Sequence, residues 1–231
     1  MKNLLIVIPV YNEERNIEIL INDWIGVLKE NEMDLLLIDD GSKDRSCEII
    51  KNFKKDKKNI LLIEKANSGH GDSIIVGYNF AVEQSYNHIF QVDSDNQFSA
   101  SDFNLLWSSS EKDNDLILGN RKTRNDPIFR VFLSKIILKM FIKILFFKNI
   151  KDANVPFRLI KVNFLKKFLT ELNFKPIAPN ILMSIYSRKH KTVDIKHFSR
   201  KHGEITWSLK KLFKFGLKLL ADLLKFRHIS K

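Results

Sequence analysis

Short apolar runs alternate with amphipathic segments along the first half of the chain. Runs of four to six apolar residues have the length of strands, whereas apolar positions spaced three and four residues apart are typical of helices. The predicted strands are residues 3–8, 35–38, 60–63, 89–92 and 116–119. The predicted helices are residues 17–28, 43–54, a third that ends near residue 82, and 101–110. This alternation predicts an α/β fold with a doubly wound, mostly parallel sheet.

Two element boundaries follow from residue chemistry. Pro9 is predicted to end the first strand, because proline has no N–H group to donate to a strand ladder. Ser42 is predicted to cap the second helix, because serine is a preferred residue at a helix start.

A polar cluster follows each predicted strand. The clusters are residues 11–14, 39–42, 67–72, 93–97 and 120–124. Ligands of such sheets bind beyond the carboxyl ends of the strands, so these loops are expected to form one site. There is no GxGxxG after the first strand and no GxxxxGK[ST] in the chain, which argues against a dinucleotide site and a P-loop.

Asp93 and Asp95 stand one residue apart at the end of the strand 89–92. In a regular strand both side chains would point the same way. Two like charges so placed repel each other unless a cation or hydrogen bonds lie between them. Mg²⁺ or Mn²⁺ would fit, since hard ions bind oxygen ligands and are often shared with substrate phosphates, and Gln97 could add a third oxygen. A solvated acidic turn is the alternative.

Composition narrows the class of protein. A chain of 231 residues is long enough for one sizeable α/β domain. The single cysteine, Cys47, excludes an intramolecular disulfide and fits a reducing compartment. The first apolar run is cut short by Pro9 and acidic residues, which favours a core strand over a signal peptide. No run of about 18 uncharged apolar residues exists, so no membrane-spanning helix is predicted.

The net charge of +12 is divided unevenly. Residues 1–118 carry 12 basic and 21 acidic residues, a balance of −9, whereas residues 119–231 carry 27 and 6, a balance of +21. The second half is therefore expected to face membrane lipid, phosphate groups or nucleic acid.

Two basic segments in the second half have helical patterns. In residues 131–147, Lys135, Lys139 and Lys143 form one charged stripe on an otherwise apolar helix, which favours contact with a membrane surface. Residues 207–227 repeat the design, with four lysines (Lys211, Lys214, Lys218 and Lys225) and Asp222 on the charged face. Packing on the sheet or in a dimer is the alternative for both. Phenylalanines are not interleaved as stacking platforms for bases, which argues against nucleic acid.

Four motifs taken together resemble the family 2 glycosyltransferases, which have the GT-A fold. They are residues 8–14, 39–42, 67–71 and 93–95. The resemblance implies inverting transfer of a hexose from a UDP- or GDP-sugar with Mg²⁺ or Mn²⁺. It further implies that Pro9, Tyr11 and Glu13 line the nucleoside, that Asp39 and Asp40 contact base and ribose, and that Asp93, Asp95 and Gln97 hold the metal on the diphosphate.

The second half is similar to the dolichyl- and polyprenyl-phosphate sugar transferases. Residues 119–121 and 152–158 carry this resemblance, which implies that Arg121, Arg130 and Ser134 bind a lipid phosphate. Residues 200–204 resemble a loop that closes over the donor diphosphate, with Arg200 as the contact. The sequence departs from the subgroup at Pro156, where many relatives carry glycine, and at Ile205-Thr206.

The presence or absence of a general base indicates which class of acceptor the enzyme uses. A hydroxyl acceptor needs a general base, whereas a phosphate is already ionised. Arg121 and Arg130 without an obvious base favour a phosphate, and Asp152 is the candidate base if the acceptor is a hydroxyl of a glycan or lipid. A basic nucleic-acid-binding module is the distant alternative, and it predicts salt-sensitive binding.

The expected organisation has three parts. Residues 1–120 form a nucleotide-sugar and metal-binding half, residues 121–204 form an acceptor-binding half of the same domain, and residues 205–231 form a basic amphipathic helix. The expected enzyme is peripheral on the cytoplasmic face of the membrane and acts in cell-envelope biosynthesis. A homodimer or a membrane-protein partner is compatible with this organisation.

Overall fold

A computed structural model of the chain describes residues 3–28, 33–110, 114–121, 136–200 and 209–229. The strands of these residues form one mixed sheet in the order β3-β2-β1-β4-β6-β5-β7. They are β1 Leu4–Val10, β2 Met33–Asp39, β3 Ile60–Glu64, β4 His88–Val92, β5 Leu116–Arg121, β6 Phe157–Lys161 and β7 His190–Ile195. β1 to β4 are parallel and β5 is parallel to β7, whereas β6 runs antiparallel to both its neighbours. The predicted doubly wound, mostly parallel sheet is confirmed.

The helices of the described residues cover both faces of this sheet. They are α1 Ile17–Leu28, α2 Ser46–Asp56, α3 His70–Glu83, α4 Phe103–Trp107, α5 Leu138–Phe146, α6 Val162–Glu171, α7 Pro179–Tyr186 and α8 Leu209–Ile229, with a 3-10 turn at Ala100–Asp102. All seven residues of β1 are buried. A continuous apolar strand is expected when helices cover both faces of a parallel sheet. The Trp24 and Phe157 rings lie 5.5 and 4.7 Å from the ring of Phe90, which anchors β4 in the core.

The prediction that Pro9 ends the first strand is wrong. β1 continues through Pro9 to Val10 and pairs with β2 over its whole length. Its pairing with β4 stops at Val7, so Pro9 lies where β1 has a strand neighbour on one side only. Proline is tolerated at such positions because no ladder bond to the open side is lost.

Two helix boundaries also differ from the prediction. α2 begins at Ser46, and Ser42 is not its cap, because the Ser42 hydroxyl accepts the Asn12 N–H at 3.0 Å in the loop before the helix. The predicted helix 101–110 is the 3-10 turn followed by the short α4. The hydroxyls of Ser108 and Ser109 lie 3.3 and 3.4 Å from the Leu105 carbonyl. Serine side chains compete for backbone groups in this way where helices end.

The strand order brings several loops to one crevice. From β1 the chain moves outward through β2 and β3, and α3 then returns it to β4 on the other side of β1. The crevice between the loops after β1 and β4 is thus a topological switch point, where ligands of open α/β sheets bind. Because β6 is antiparallel, the loop before it, residues 152–156, reaches the same edge as the loop after β4.

Some predicted features lie outside the described residues. These are Arg130, Ser134, residues 131–135 of the first basic helix and residues 201–208.

Asp222 was predicted on the charged face of the last helix, but it is buried and accepts the Ile177 N–H at 2.8 Å. Among the described helices, none has the length and hydropathy needed to cross a bilayer.

Candidate active site

The loop after β4 carries the predicted metal ligands. Asp95 is partly buried, and desolvation together with the charge of Asp93 raises the pKa of Asp95 to about 7. Asn96 has a left-handed φ of 55°, and its amide donates to the Asn16 carbonyl at 2.9 Å, which fastens the loop to the start of α1. When two carboxylates lie close together and away from water, their repulsion is expected to raise the pKa of one of them.

His70 at the start of α3 contacts this loop. Its Nε2 lies 2.9 Å from Oδ1 of Asp93, and the ring is about half exposed. Desolvation alone would lower the pKa of His70, but the charge and hydrogen bond of Asp93 outweigh it and raise that pKa. The imidazole therefore orients one oxygen of Asp93 and leaves the other for a further ligand. Sequence reasoning placed His70 inside a motif and gave it no role.

The described residues contain no group of three or more His, Cys, Asp or Glu side chains arranged to hold a metal ion. Asp93 and Asp95 therefore do not make a protein-only cage. Mg²⁺ and related ions are commonly held by one or two carboxylates, with water and substrate phosphate completing the shell. The pair fits an ion of that kind, with Gln97 at the same loop.

Asp39 offers an unused acceptor beside the crevice. It is buried at the end of β2, and its Oδ2 accepts the Ser42 N–H at 3.2 Å. Its Oδ1 is also buried and accepts no hydrogen bond from the described residues. Buried polar atoms without a partner are uncommon, so a hydroxyl or N–H group of a ligand would satisfy this oxygen. Tyr11, 44% exposed on the neighbouring loop, leaves its ring available to such a ligand.

Asp40 has a different environment. Its carboxylate accepts from Lys65 Nζ and, at 2.9 Å each, from the backbone N–H groups of Ser68 and Gly69. These contacts shape the loop 65–69 that leads into α3. Asp39 is therefore better placed than Asp40 to accept a hydrogen bond from a ligand. Pro9, the remaining predicted residue on this side, is buried within β1.

Glu13 and Arg200, predicted separately as donor contacts, are paired. Nη2 of Arg200 donates to Oε1 of Glu13 at 2.6 Å, across 187 positions of sequence. Gln97 meets the same returning segment, because its Nε2 donates to the Phe198 carbonyl at 3.1 Å. The loop after β7 is thereby joined both to the loop after β1 and to the predicted metal loop.

Arg121 and Asp152 also form a pair. Nε and Nη2 of Arg121 donate to the two oxygens of Asp152 at 2.7 and 3.0 Å, and both side chains are largely buried. From the sequence, Arg121 was predicted to bind an acceptor phosphate, and Asp152 was the candidate general base. The bidentate contact engages both oxygens of Asp152, so a base at this position could use only the lone pairs that Arg121 leaves. The remaining edge of the guanidinium is where an anion could bind.

Arg158 is a site residue that the sequence analysis did not single out. It is fully buried in β6, and it donates to the carbonyls of Val155 at 2.9 Å, Asn180 at 2.8 Å and Ala153 at 3.2 Å. Burial lowers its pKa to about 10. The bonds to the Ala153 and Val155 carbonyls hold the loop that carries Asp152. The available signal was an arginine inside an otherwise apolar strand.

Comparisons with known proteins decide the family. The model of glycosyl transferase family 2 matches residues 5–169, well over half of the chain. This chain belongs to glycosyl transferase family 2. The protein is thus a glycosyltransferase, and the resemblance drawn from the motifs is confirmed.

Relatives of this family 2 glycosyltransferase agree with the predicted subgroup. It is 28% identical over 228 residues to the undecaprenyl-phosphate 4-deoxy-4-formamido-L-arabinose transferase of Photorhabdus laumondii, an alignment that covers 97% of this chain and 67% of the relative. It is 33% identical over 172 residues to an uncharacterised protein of Methanocaldococcus jannaschii, covering 71% and 73% of the two chains.

A solved structure supports the fold. Glucosyl-3-phosphoglycerate synthase of Mycobacterium tuberculosis, in complex with Mn²⁺, UDP-glucose and phosphoglyceric acid, superimposes with a TM-score of 0.72. The match covers 98% of this chain and 80% of the synthase at 16% identity. At that identity the likeness concerns the GT-A fold alone.

Proposed function

We propose that this glycosyltransferase moves a hexose from a UDP- or GDP-sugar to a polyprenyl phosphate at a membrane surface. The observation that carries the proposal is the meeting of four features at the carboxyl edge of one sheet. They are the Asp93 and Asp95 carboxylates, the unused oxygen of Asp39, the guanidinium of Arg200 and the buried pair of Arg121 and Asp152.

The donor would lie across the switch point. Tyr11 and Asp39 would receive the nucleoside, with Pro9 and Asp40 shaping the pocket around it. Asp93, Asp95 and Gln97 would hold Mg²⁺ or Mn²⁺, which when bound neutralises the charge that develops on the departing nucleoside diphosphate. Arg200 would contribute a second positive charge to the same diphosphate.

The acceptor would approach from the side of β5 and β6. Arg121, Arg130 and Ser134 would bind its phosphate, and Asp152 would fix the orientation of Arg121. A phosphate oxygen would attack the anomeric carbon as the bond to the nucleoside diphosphate breaks on the opposite face, so the configuration inverts. The attacking oxygen is already ionised, so no general base is needed. The engagement of both Asp152 oxygens makes a hydroxyl acceptor the less favoured alternative.

The first-mentioned relative, whose name specifies undecaprenyl phosphate, supports this acceptor class. The family match favours a transferase over the nucleic-acid-binding alternative, which was motivated by the basic charge of the second half.

The surface of α5 supports a location at a membrane. Four exposed apolar side chains follow one another at helical spacing along this helix and its flanks, whereas Ile142 faces the core. The exposed set is Ile136 at 53%, Met140 at 50%, Ile144 at 59% and Phe147 at 86%. Lys139 and Lys143 are exposed beside it. Apolar side chains with neighbouring lysines are the composition of a helix that lies in the interface of an anionic bilayer.

α8 packs against α5 and carries exposed apolar side chains of its own. Its Phe226 ring lies 6.2 Å from Phe146 of α5, and Phe213 and Leu217 are 70% and 54% exposed further along the helix. In sequence, α5 lies between Arg121 and Asp152, so the segment that would touch lipid leaves from and returns to the proposed acceptor site. A polyprenyl phosphate could then place its phosphate at Arg121 while its chain stays in the bilayer.

The proposal is tested by measuring the release of nucleoside diphosphate. The purified protein would be incubated with Mn²⁺ and a panel of UDP- and GDP-sugars, with and without a short polyprenyl phosphate. We expect release from one donor class and at least tenfold stimulation by the lipid phosphate. Slow release of nucleoside diphosphate that the lipid does not change would contradict the acceptor assignment. Asp152→Asn would then test whether Asp152 is the general base for a hydroxyl acceptor.

A further inference from the structure

Residues 196–200, here called the crossing segment, run from the end of β7 across the predicted metal loop. The Lys196 N–H donates to the Asp102 carboxylate at 2.9 Å. The Phe198 N–H donates to the Gln97 carbonyl at 2.9 Å, and the Gln97 side chain donates back to the Phe198 carbonyl at 3.1 Å. The backbone that leads to Arg200 is therefore fixed on the metal loop.

The guanidinium of Arg200 is fixed from the other side of the crevice by Glu13. The Arg200 and Glu13 side chains are 28% and 10% exposed, so their 2.6 Å contact is shielded from water. Glu13 has little freedom of its own, because its Oε2 accepts from Asn16 Nδ2 at 2.6 Å and its N–H donates to the Ser46 hydroxyl at 2.8 Å. A hydrogen bond between charged groups in such a place is among the stronger contacts of a protein.

The environment of Glu13 does not suit a residue that hydrogen-bonds to a nucleoside. Burial raises the pKa of Glu13, and the hydrogen bond from Asn16 and the charge of Arg200 oppose that rise. Both carboxylate oxygens already accept hydrogen bonds within the protein. A ligand would have to share these oxygens with Asn16 and Arg200, and displacing Arg200 would leave a charge without its partner in a partly buried place.

We propose that Glu13 is a positioning residue that holds Arg200 in place for the donor diphosphate, and that it does not itself recognise the nucleoside. The inference rests on the proposed function, in which the donor is a nucleoside diphosphate sugar. Glu13 lies on the loop after β1 and the crossing segment lies over the loop after β4, so their ion pair spans the crevice where the diphosphate would bind. An arginine oriented before binding loses less conformational freedom when the ligand arrives.

Binding measurements with four variants test this role. Glu13→Gln, Arg200→Gln and the double variant would be compared with Glu14→Gln, which neutralises the adjacent, exposed carboxylate. Mn²⁺ with UDP or GDP, and with UMP or GMP, would be titrated by calorimetry. We expect Glu13→Gln to weaken diphosphate binding about tenfold and monophosphate binding less than twofold, because a hydrogen bond to a charged group contributes roughly that much. The double variant should bind no more weakly than Arg200→Gln alone.

Two results in this titration would overturn the inference. Equal losses for the mono- and diphosphate would make Glu13 a nucleoside contact. Losses that add in the double variant would show that Glu13 and Arg200 act independently. Glu14→Gln should bind like the unchanged protein.

Hydrogen exchange of the ligand-free protein separates this inference from the proposed function. Glu13→Gln should speed the exchange of the Phe198 amide about tenfold, because the crossing segment loses its anchor, whereas Glu14→Gln should leave it unchanged. Unchanged exchange in Glu13→Gln would overturn the anchoring role even if nucleotides bind. If the unchanged protein binds neither UDP nor GDP, the donor assignment fails, and with it the purpose of the anchor, whatever the exchange shows.

Discussion

Asp95→Asn should abolish a pH dependence of stability that arises in the loop carrying Asp93 and Asp95. In the metal-free protein, burial and the charge of Asp93 raise the pKa of Asp95 from 3.8 to about 7. A group whose pKa is raised by folding contributes stability that is fully present below its unfolded pKa and is lost as the pH rises through its folded pKa. The protein without metal should therefore lose stability between about pH 4 and about pH 7 because of this one carboxylate.

The size of the loss follows from the shift. Each unit of pKa difference corresponds to about 1.4 kcal/mol, so a shift of roughly three units amounts to about 4 kcal/mol at pH 8. That is a large part of the ~5–15 kcal/mol by which a domain is usually stable. Asparagine at position 95 cannot ionise, so the variant should be more stable than the unchanged metal-free protein at pH 8, and the difference should be clearly smaller at pH 5, where only part of the loss has occurred.

The assay is urea unfolding at pH 5, 6, 7 and 8 for both proteins, with EDTA or with Mg²⁺. The raised pKa of His70 makes stability fall with rising pH in the same direction, and the charge of Asp95 contributes to that raised pKa. The difference between the two proteins therefore reports the ionisation of Asp95 together with its effect on His70. Mg²⁺ should stabilise the unchanged protein more at pH 8 than at pH 6, and should stabilise Asp95→Asn little at either. A metal-free stability difference that does not vary with pH would refute the reasoning.

Three further predictions concern other parts of the site. Asp152→Asn should cost about 3 kcal/mol of stability, because it leaves the buried Arg121 without its partner. It should also raise the KM for polyprenyl phosphate; an unchanged KM with loss of the acidic limb of the pH–rate profile would instead indicate a general base. Asp39→Ala should weaken UDP or GDP binding about tenfold in calorimetry, and unchanged affinity would remove Asp39 from the nucleoside pocket. Ile144→Glu should reduce sedimentation with anionic vesicles severalfold, whereas Ile144→Leu should not; equal sedimentation of both would remove α5 from the membrane surface.

The site could be predicted from sequence where its residues are close in the chain. Asp93 and Asp95 follow a recognisable strand, which was enough to predict that both carboxylates lie at its end, although they lie in the loop and not in the strand itself. Asp39 and Asp40 follow another strand, and parallel pairing brought them to the same edge. The prediction could not assign different environments to these two neighbours, because the contacts of Asp40 come from the loop 65–69.

Pairs that are distant in the chain were not predictable from the same pattern. Arg121 and Asp152 are 31 positions apart, and they meet because β6 runs antiparallel between β4 and β5. An isolated apolar run does not reveal strand direction. The Glu13–Arg200 pair depends on how the crossing segment packs over the loop after β4, which involves backbone hydrogen bonds that no side-chain pattern encodes.

The central claim is that the acceptor is a lipid phosphate. The most direct measurement is mass spectrometry of the products formed from a UDP- or GDP-hexose, Mn²⁺ and two acceptors of equal chain length, a polyprenyl phosphate and the corresponding polyprenol. We predict a hexosylated polyprenyl phosphate and no hexosylated polyprenol, with loss of the product in Asp93→Ala and a large decrease in Arg130→Ala. Hexose on the polyprenol, or on neither lipid while nucleoside diphosphate is still released, would contradict the account.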